Sequence, residues 1–210
     1  SNRLAKWSLL AGVEHLKQAF TTPHLRAIFT VMFVFCLGWG IFTEFSPIFL
    51  IRRLHFSLGE IANFYAWIGL WIALCQGVLI RPFLKRFSPE VLLPSALIGM
   101  GVILPIMLLV QGSWFLFALL PFLAFFESLI FPSAATLVSN LSSKESQGEI
   151  FGIHNSVQWA AIGFVPLFSG SVVAQFPHLP ITLAMVMMCL AAVLFLRGFR
   201  KAKQPNDPIL

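Results

Sequence analysis

The sequence predicts an all-α membrane protein: six transmembrane helices arranged as two inverted three-helix repeats. Hydrophobic residues make up 58% of the 210-residue chain and charged residues 10%, with mean hydropathy +0.87. That balance leaves too little polar surface to coat a water-soluble domain. The apolar residues fall in several runs of about 20, the length an α-helix needs to cross ~30 Å of hydrocarbon. These runs are apolar on every face and lack the alternation of barrel strands, so each must satisfy its own backbone hydrogen bonds as a helix.

Residues 1–22 set Leu9, Val13, Leu16 and Phe20 at helical spacing between Arg3, Lys6, Glu14 and Lys17. They are expected to form an amphipathic helix on the membrane surface. Thr21-Thr22-Pro23 breaks it before the spans, which are expected over about 28–50, 61–80, 91–110, 114–138, 153–173 and 181–196. The six spans fill a transmembrane unit at 23–200, and residues 201–210 form a tail. The chain begins Ser1-Asn2 without a cleavable signal and is expected to be a fragment.

An even number of spans puts both termini on one side. Arg3, Lys6, Lys17, Arg26, Arg81, Lys85, Arg86, Lys144, Arg197, Arg200, Lys201 and Lys203 share that side, while Arg52 and Arg53 fall on the other. The positive-inside rule then places both termini in the cytoplasm. The net charge of +6 is thereby a topology signal, and no nucleic-acid partner is implied. Cys36, Cys75 and Cys189 lie singly inside apolar runs, without the spacing of a disulfide or metal set. No metal or cofactor is predicted.

Polar residues sort the spans. The first carries Glu44 and the fourth Glu127; the second carries Asn63, Tyr65 and Gln76, and the fifth His154, Asn155 and Gln158. The third and sixth carry no ionisable side chain. A polar stripe must turn toward protein or water, whereas a uniformly apolar helix can face lipid, so four inner and two outer helices are expected. Phe42-Thr43-Glu44-Phe45 and Phe125-Phe126-Glu127-Ser128 occupy matching places in spans one and four. Three spans per repeat would invert the second copy, an arrangement secondary transporters use.

Pro132 to Leu141, the run Glu145-Ser146-Gln147-Gly148-Glu149-Ile150-Phe151-Gly152, and Gly163-Phe164-Val165-Pro166 with Gly170 carry a family resemblance. The chain resembles the C-terminal half of a major facilitator superfamily transporter, similar to the drug/proton antiporters of the tetracycline-efflux type. Gln76-Gly77 through Arg81, Lys85 and Arg86 look like the family's loop between helices eight and nine, without the acidic residue of its fuller form. The resemblance implies that the spans are helices seven to twelve, that seven, eight, ten and eleven line a cavity, and that residues 1–22 end the loop joining two halves. The partners it implies are the lipid bilayer, a small-molecule substrate, protons and an N-terminal six-helix half in the same or a separate polypeptide. The location is a cell membrane, bacterial inner membrane above all. At Glu127 the sequence departs from the antiporters, which carry small residues there.

An ionised carboxylate at mid-span costs about 2.5 to 3.5 kcal/mol on insertion scales, so Glu127 should be neutral, paired or in a water-filled cavity. Proton coupling is the role read for Glu127 and, nearer the outer end, for Glu44. Pro47 one turn beyond frees a backbone carbonyl that nearby groups must satisfy. Thr43, Gln76, His154, Asn155, Gln158 and Trp159 are the candidate cavity residues, against the alternatives of interfacial capping for the polar ones and packing for Trp159. Gly77, Arg81, Arg86, Gln147, Gly148, Gly152, Gly163, Pro166 and Gly170 are structural motif residues. No HExxH, GxSxG or paired aspartate occurs, so an enzyme is not expected. The reading is a proton-coupled secondary transporter of a small organic solute working by alternating access, with efflux favoured. An importer of a nutrient or metal chelate, or a non-transporting receptor or scaffold on the same fold, is the alternative.

Overall fold

The computed structural model describes residues 22–110, 112–168 and 176–202. The expected surface helix before residue 22, Gln111, Gly170, the end of the fifth span and the tail from residue 203 lie outside them. Helix α1 spans Pro23–Leu54, with its proline in the first turn, where the missing N–H has no intrahelical partner to lose. It ends at His55 in a left-handed conformation (φ 56°), and the Phe56 N–H reaches back to the Leu50 carbonyl at 3.1 Å.

Helix α2 (Leu58–Leu74) starts on a capping box. The Glu60 N–H donates to Ser57 Oγ at 3.3 Å and the Ser57 N–H donates to Glu60 Oε2 at 2.8 Å. That box fixes the start three residues before Ile61, where apolarity alone had placed it. The helix runs into a π-helical turn, Cys75–Leu79, and then a short basic helix α3 (Arg81–Arg86). Helices α4 (Pro89–Leu109), α5 (Ser113–Asn140), α6 (Gln147–Phe164, continued by a 3₁₀ turn at Val165–Phe168) and α7 (Leu179–Ala202) complete the described chain.

Helices α1, α4, α5 and α7, and α2 with its π-turn, are each long and apolar enough to cross a bilayer. Helix α6, where the fifth span was expected, falls short of that measure over its described residues. Its first twelve residues carry Gln147, Glu149, His154, Asn155 and Gln158.

The packing is two-fold. Helix α1 lies along α7 as α5 lies along α4; α1 meets α6 as α5 meets α2; and α4 meets α7. Exchanging the first three spans for the last three maps this network onto itself, as inverted repeats require. Small residues set the close approaches. A Cβ on Gly38 of α1 would stand 2.6 Å from Met187 Cβ of α7, and one on Gly99 of α4 would stand 2.5 Å from the Phe126 ring of α5. The two helix pairs correspond under the same exchange, with the glycine on α1 in one and on α4, the counterpart of α7, in the other.

The expected sorting into four inner and two outer helices changes within this chain. Helices α4 and α7 share the packed layer with α1 and α5, because Gly99, Gly101, Ala184, Ala191 and Ala192 let backbones come together there. The open helices are α2 and α6. Over its span window α2 is 22% buried, against 61% for α1.

Candidate functional site

Glu127 sits halfway along α5 and is buried, 5% exposed. Its Oε2 has no hydrogen-bond partner, nor do Ser128 Oγ and Ser133 Oγ on the same helix. Two thiols lie within electrostatic reach, Cys36 on α1 and Cys75 at the first position of the π-turn. Glu127 is therefore held where α1, α2 and α5 meet. The edge-to-face pair of Phe35 and Phe131, with ring centroids 5.5 Å apart, closes α1 on α5 nearby. A π-turn inserts a residue and redirects the helix after it, a feature common at functional positions. Among the described residues no three His, Cys, Asp or Glu side chains are grouped to hold a metal ion.

Toward the end away from the basic segments, prolines open the backbone of both helices beside α2. Proline has no N–H, so Pro47 leaves the Thr43 carbonyl without its helical donor and Pro121 does the same to Phe117. Helix α2 supplies both donors. Tyr65 Oη donates to the Thr43 carbonyl at 2.6 Å, and Trp67 Nε1 donates to the Phe117 carbonyl at 3.1 Å. Because the tyrosyl proton is committed, Ser46 Oγ must be the donor in its 2.8 Å bond to Tyr65 Oη. The carbonyl freed by Pro47 was legible in the sequence; Tyr65 as its replacement donor, and Trp67 as the donor at the Pro121 break, were not. The usable signal was a proline in each neighbouring helix and two aromatic donors on the helix between.

At the basic end, His154 of α6 is 3% exposed and packs against the tilted ring of Phe29 of α1, at 5.9 Å between ring centroids, and edge-to-face with Phe151 at 6.4 Å. Gln158 Nε2 is 2.7 Å from His154 Nε2, and the amide nitrogen can only donate, so the proton of the neutral ring is on Nδ1. That nitrogen has no partner. His154 is thus a packed residue of the α1–α6 contact.

The other candidates scatter. Thr43 Oγ1 bonds back to the Trp39 and Gly40 carbonyls of its own helix, at 3.0 and 3.1 Å. Glu44 is exposed and near enough to Tyr65 to act on it electrostatically. Gln76, Asn155 and Trp159 are exposed on α2 and α6, Trp159 at 71%. Gln147 Nε2 donates to Ser139 Oγ and so ties the start of α6 to the last turn of α5.

Pro166 marks the change from α to 3₁₀ geometry, and Val165 just before it inserts against Gly40 of α1, where a Cβ would be 2.6 Å from Val165 Cγ2. Gly77, Gly148, Gly152 and Gly163 have nothing within 4 Å of where a Cβ would stand. Arg81 and Arg86 are exposed on α3. The structure brings together Glu127 with Cys36 and Cys75, Thr43 and Glu44 with Tyr65, and His154 with Gln158, as three separate groups along α1.

The two-fold bundle of long apolar helices, with polar groups at helix junctions, defines a multi-pass helical membrane protein. The Major Facilitator Superfamily model matches residues 28–209, and the chain belongs to that superfamily. It is a secondary transporter of small molecules embedded in a lipid bilayer, and not an enzyme. No curated protein matches it.

Proposed function

We propose that this chain is one rocking half of a proton-coupled transporter that exports a small organic solute by alternating access, from a bacterial inner membrane with both termini in the cytoplasm. The observation that carries the reading is Glu127, a buried carboxyl with an unpartnered oxygen at the junction of α1, α2 and α5. A carboxyl there can exchange a proton when the junction opens to water on one side and then the other, because only its neutral form is cheap between those moments. Glu44, exposed on α1 beside Tyr65, is the second coupling group and attracts cationic solutes.

The other half packs on α2 and α6. Those helices carry the open glycines Gly77, Gly152 and Gly163, and small residues are what lets membrane helices approach closely. Likeness to the tetracycline-efflux antiporters rests on Gln147 to Gly152 and Gly163 to Pro166, both on that open helix.

The test is Glu127→Gln in proteoliposomes carrying the complete transporter, with a pH gradient as the driving force and a panel of fluorescent organic cations as probes. Gradient-driven flux is expected to fall at least tenfold, about 1.4 kcal/mol in the coupled step, while exchange without a gradient persists. Undiminished gradient-driven flux in the variant would remove Glu127 from coupling. Uptake in place of export under the same gradient would make the protein an importer. The intact mass of the purified protein, or a co-purifying polypeptide of similar size, identifies the other half.

A further inference from the structure

Helix α2 is the least buried of the five described helices long and apolar enough to cross a bilayer, 22% inside the bundle, yet it must keep its place beside α1 and α5. Its packing face is short: Ile61, Phe64, Ile68 and Cys75. Among the described residues its side-chain hydrogen bonds to neighbouring helices run through Tyr65 and Trp67 alone, and each of the two donates to a carbonyl that a proline has left open. Residues two apart on a helix point about 200° from each other, so these donors reach to opposite sides of α2. One takes the break in α1 and the other the break in α5.

The coincidence is double. Pro47 and Pro121 stand in α1 and α5, the pair that the two-fold exchanges, and each break faces the same intervening helix. An open carbonyl in hydrocarbon must find a donor. A donor from another helix satisfies it and also fastens the two helices at that depth.

We propose that Tyr65 and Trp67 are positioning residues that make α2 a strut between the two proline breaks, so that the outer segments of α1, α2 and α5 move as one body. Proline leaves each helix a joint, and the aromatic donor sets the angle of that joint from outside. Neither residue needs to touch the transported solute. The role within a transport cycle rests on the alternating-access reading above; the strut itself does not.

The experiment exploits the fact that alanine restores the N–H that proline lacks. Tyr65→Phe and Trp67→Phe are made in the complete protein, alone and combined with Pro47→Ala and Pro121→Ala respectively. Each single aromatic variant is expected to lower the unfolding midpoint by about 2–4 °C. In its alanine background the same change is expected to cost less than about a third of that, since the peptide N–H now fills the carbonyl. Spin labels at Ile51→Cys and Trp114→Cys, exposed at the outer ends of α1 and α5, report the joint angles on a background freed of its own cysteines.

A single narrow distance distribution is expected for the parent. A broad one is expected for Tyr65→Phe and for Trp67→Phe, and it should stay broad in the alanine doubles, whose repaired backbones no longer tie the helices together. Additive midpoints in both cycles would show that the aromatic and peptide donors do not replace one another, and would overturn the proposal. So would a distribution that narrows again as the midpoint recovers, because the donors would then only be filling carbonyls. If no probe is transported, the transport reading falls, and these two measurements still decide the strut.

Discussion

The glycines of α1, α4 and α7 and those of α2 and α6 are the same residue in opposite surroundings. Gly38, Gly40, Gly99 and Gly198 leave no room for a methyl group, with the nearest heavy atom 2.5 to 2.9 Å from an ideal Cβ, whereas Gly69, Gly77, Gly152 and Gly163 have nothing within 4 Å. The first set is spent inside the chain, where it lets neighbouring helices close on each other. The second set lies on the helices that are least enclosed. Small residues in a membrane helix mark close approach, so the contrast separates glycines used in contacts within the chain from glycines that meet nothing in it.

The largest effect that sharpens the contrast is expected at Gly38→Leu. It drives a branched side chain into Met187 Cβ, and overpacking of that kind costs about 1–3 kcal/mol or more, read as a fall in unfolding midpoint. In the complete protein Gly163→Leu is expected to act like Gly38→Leu if a second half closes on α6. In the chain alone it is expected to leave the midpoint unchanged or raise it by the ~1 kcal/mol that a better helix former gains over glycine. Equal behaviour of Gly163→Leu in the two settings would break the comparison.

A smaller loss is expected at His154→Ala, about 1–3 kcal/mol, because it empties the space against Phe29 and leaves Gln158 without its buried partner. Smallest is Trp159→Ala. With its ring 71% exposed, less than ~0.5 kcal/mol of stability should change. Weaker binding of aromatic organic cations, measured by fluorescence titration, would mark it as cavity-facing once the second half is present.

Legibility followed chemistry that repeats along the chain. The spans and the superfamily were readable because hydrophobic length and short motifs are local; the expected matching of Glu44 with Glu127 was not met by like surroundings, since Glu44 is exposed and Glu127 buried. Boundaries were less readable. The start of α2 depends on one reciprocal cap between Ser57 and Glu60, and α6 begins at Gln147, in polar residues ahead of the apolar run expected from residue 153. The candidate site was readable as a set of polar residues but not as an arrangement. His154 and Gln158 share one helix face by spacing alone, whereas the meeting of Glu127 with Cys36 and Cys75 depends on how three helices cross.

The sequence by itself determined that this protein lives in a bilayer, that its backbone is helical, and that Pro47 opens a carbonyl in α1, since each follows from residues within one helix. Only the tertiary structure decided which helices form the packed layer, that Tyr65 and Trp67 close the two proline breaks, and that the open faces belong to α2 and α6. The physical reason is the solvent. Hydrocarbon imposes the same demand for internal hydrogen bonds on every span, so sequence reveals the demand, while which neighbour meets it is set by side-chain shapes at crossings far apart in the chain.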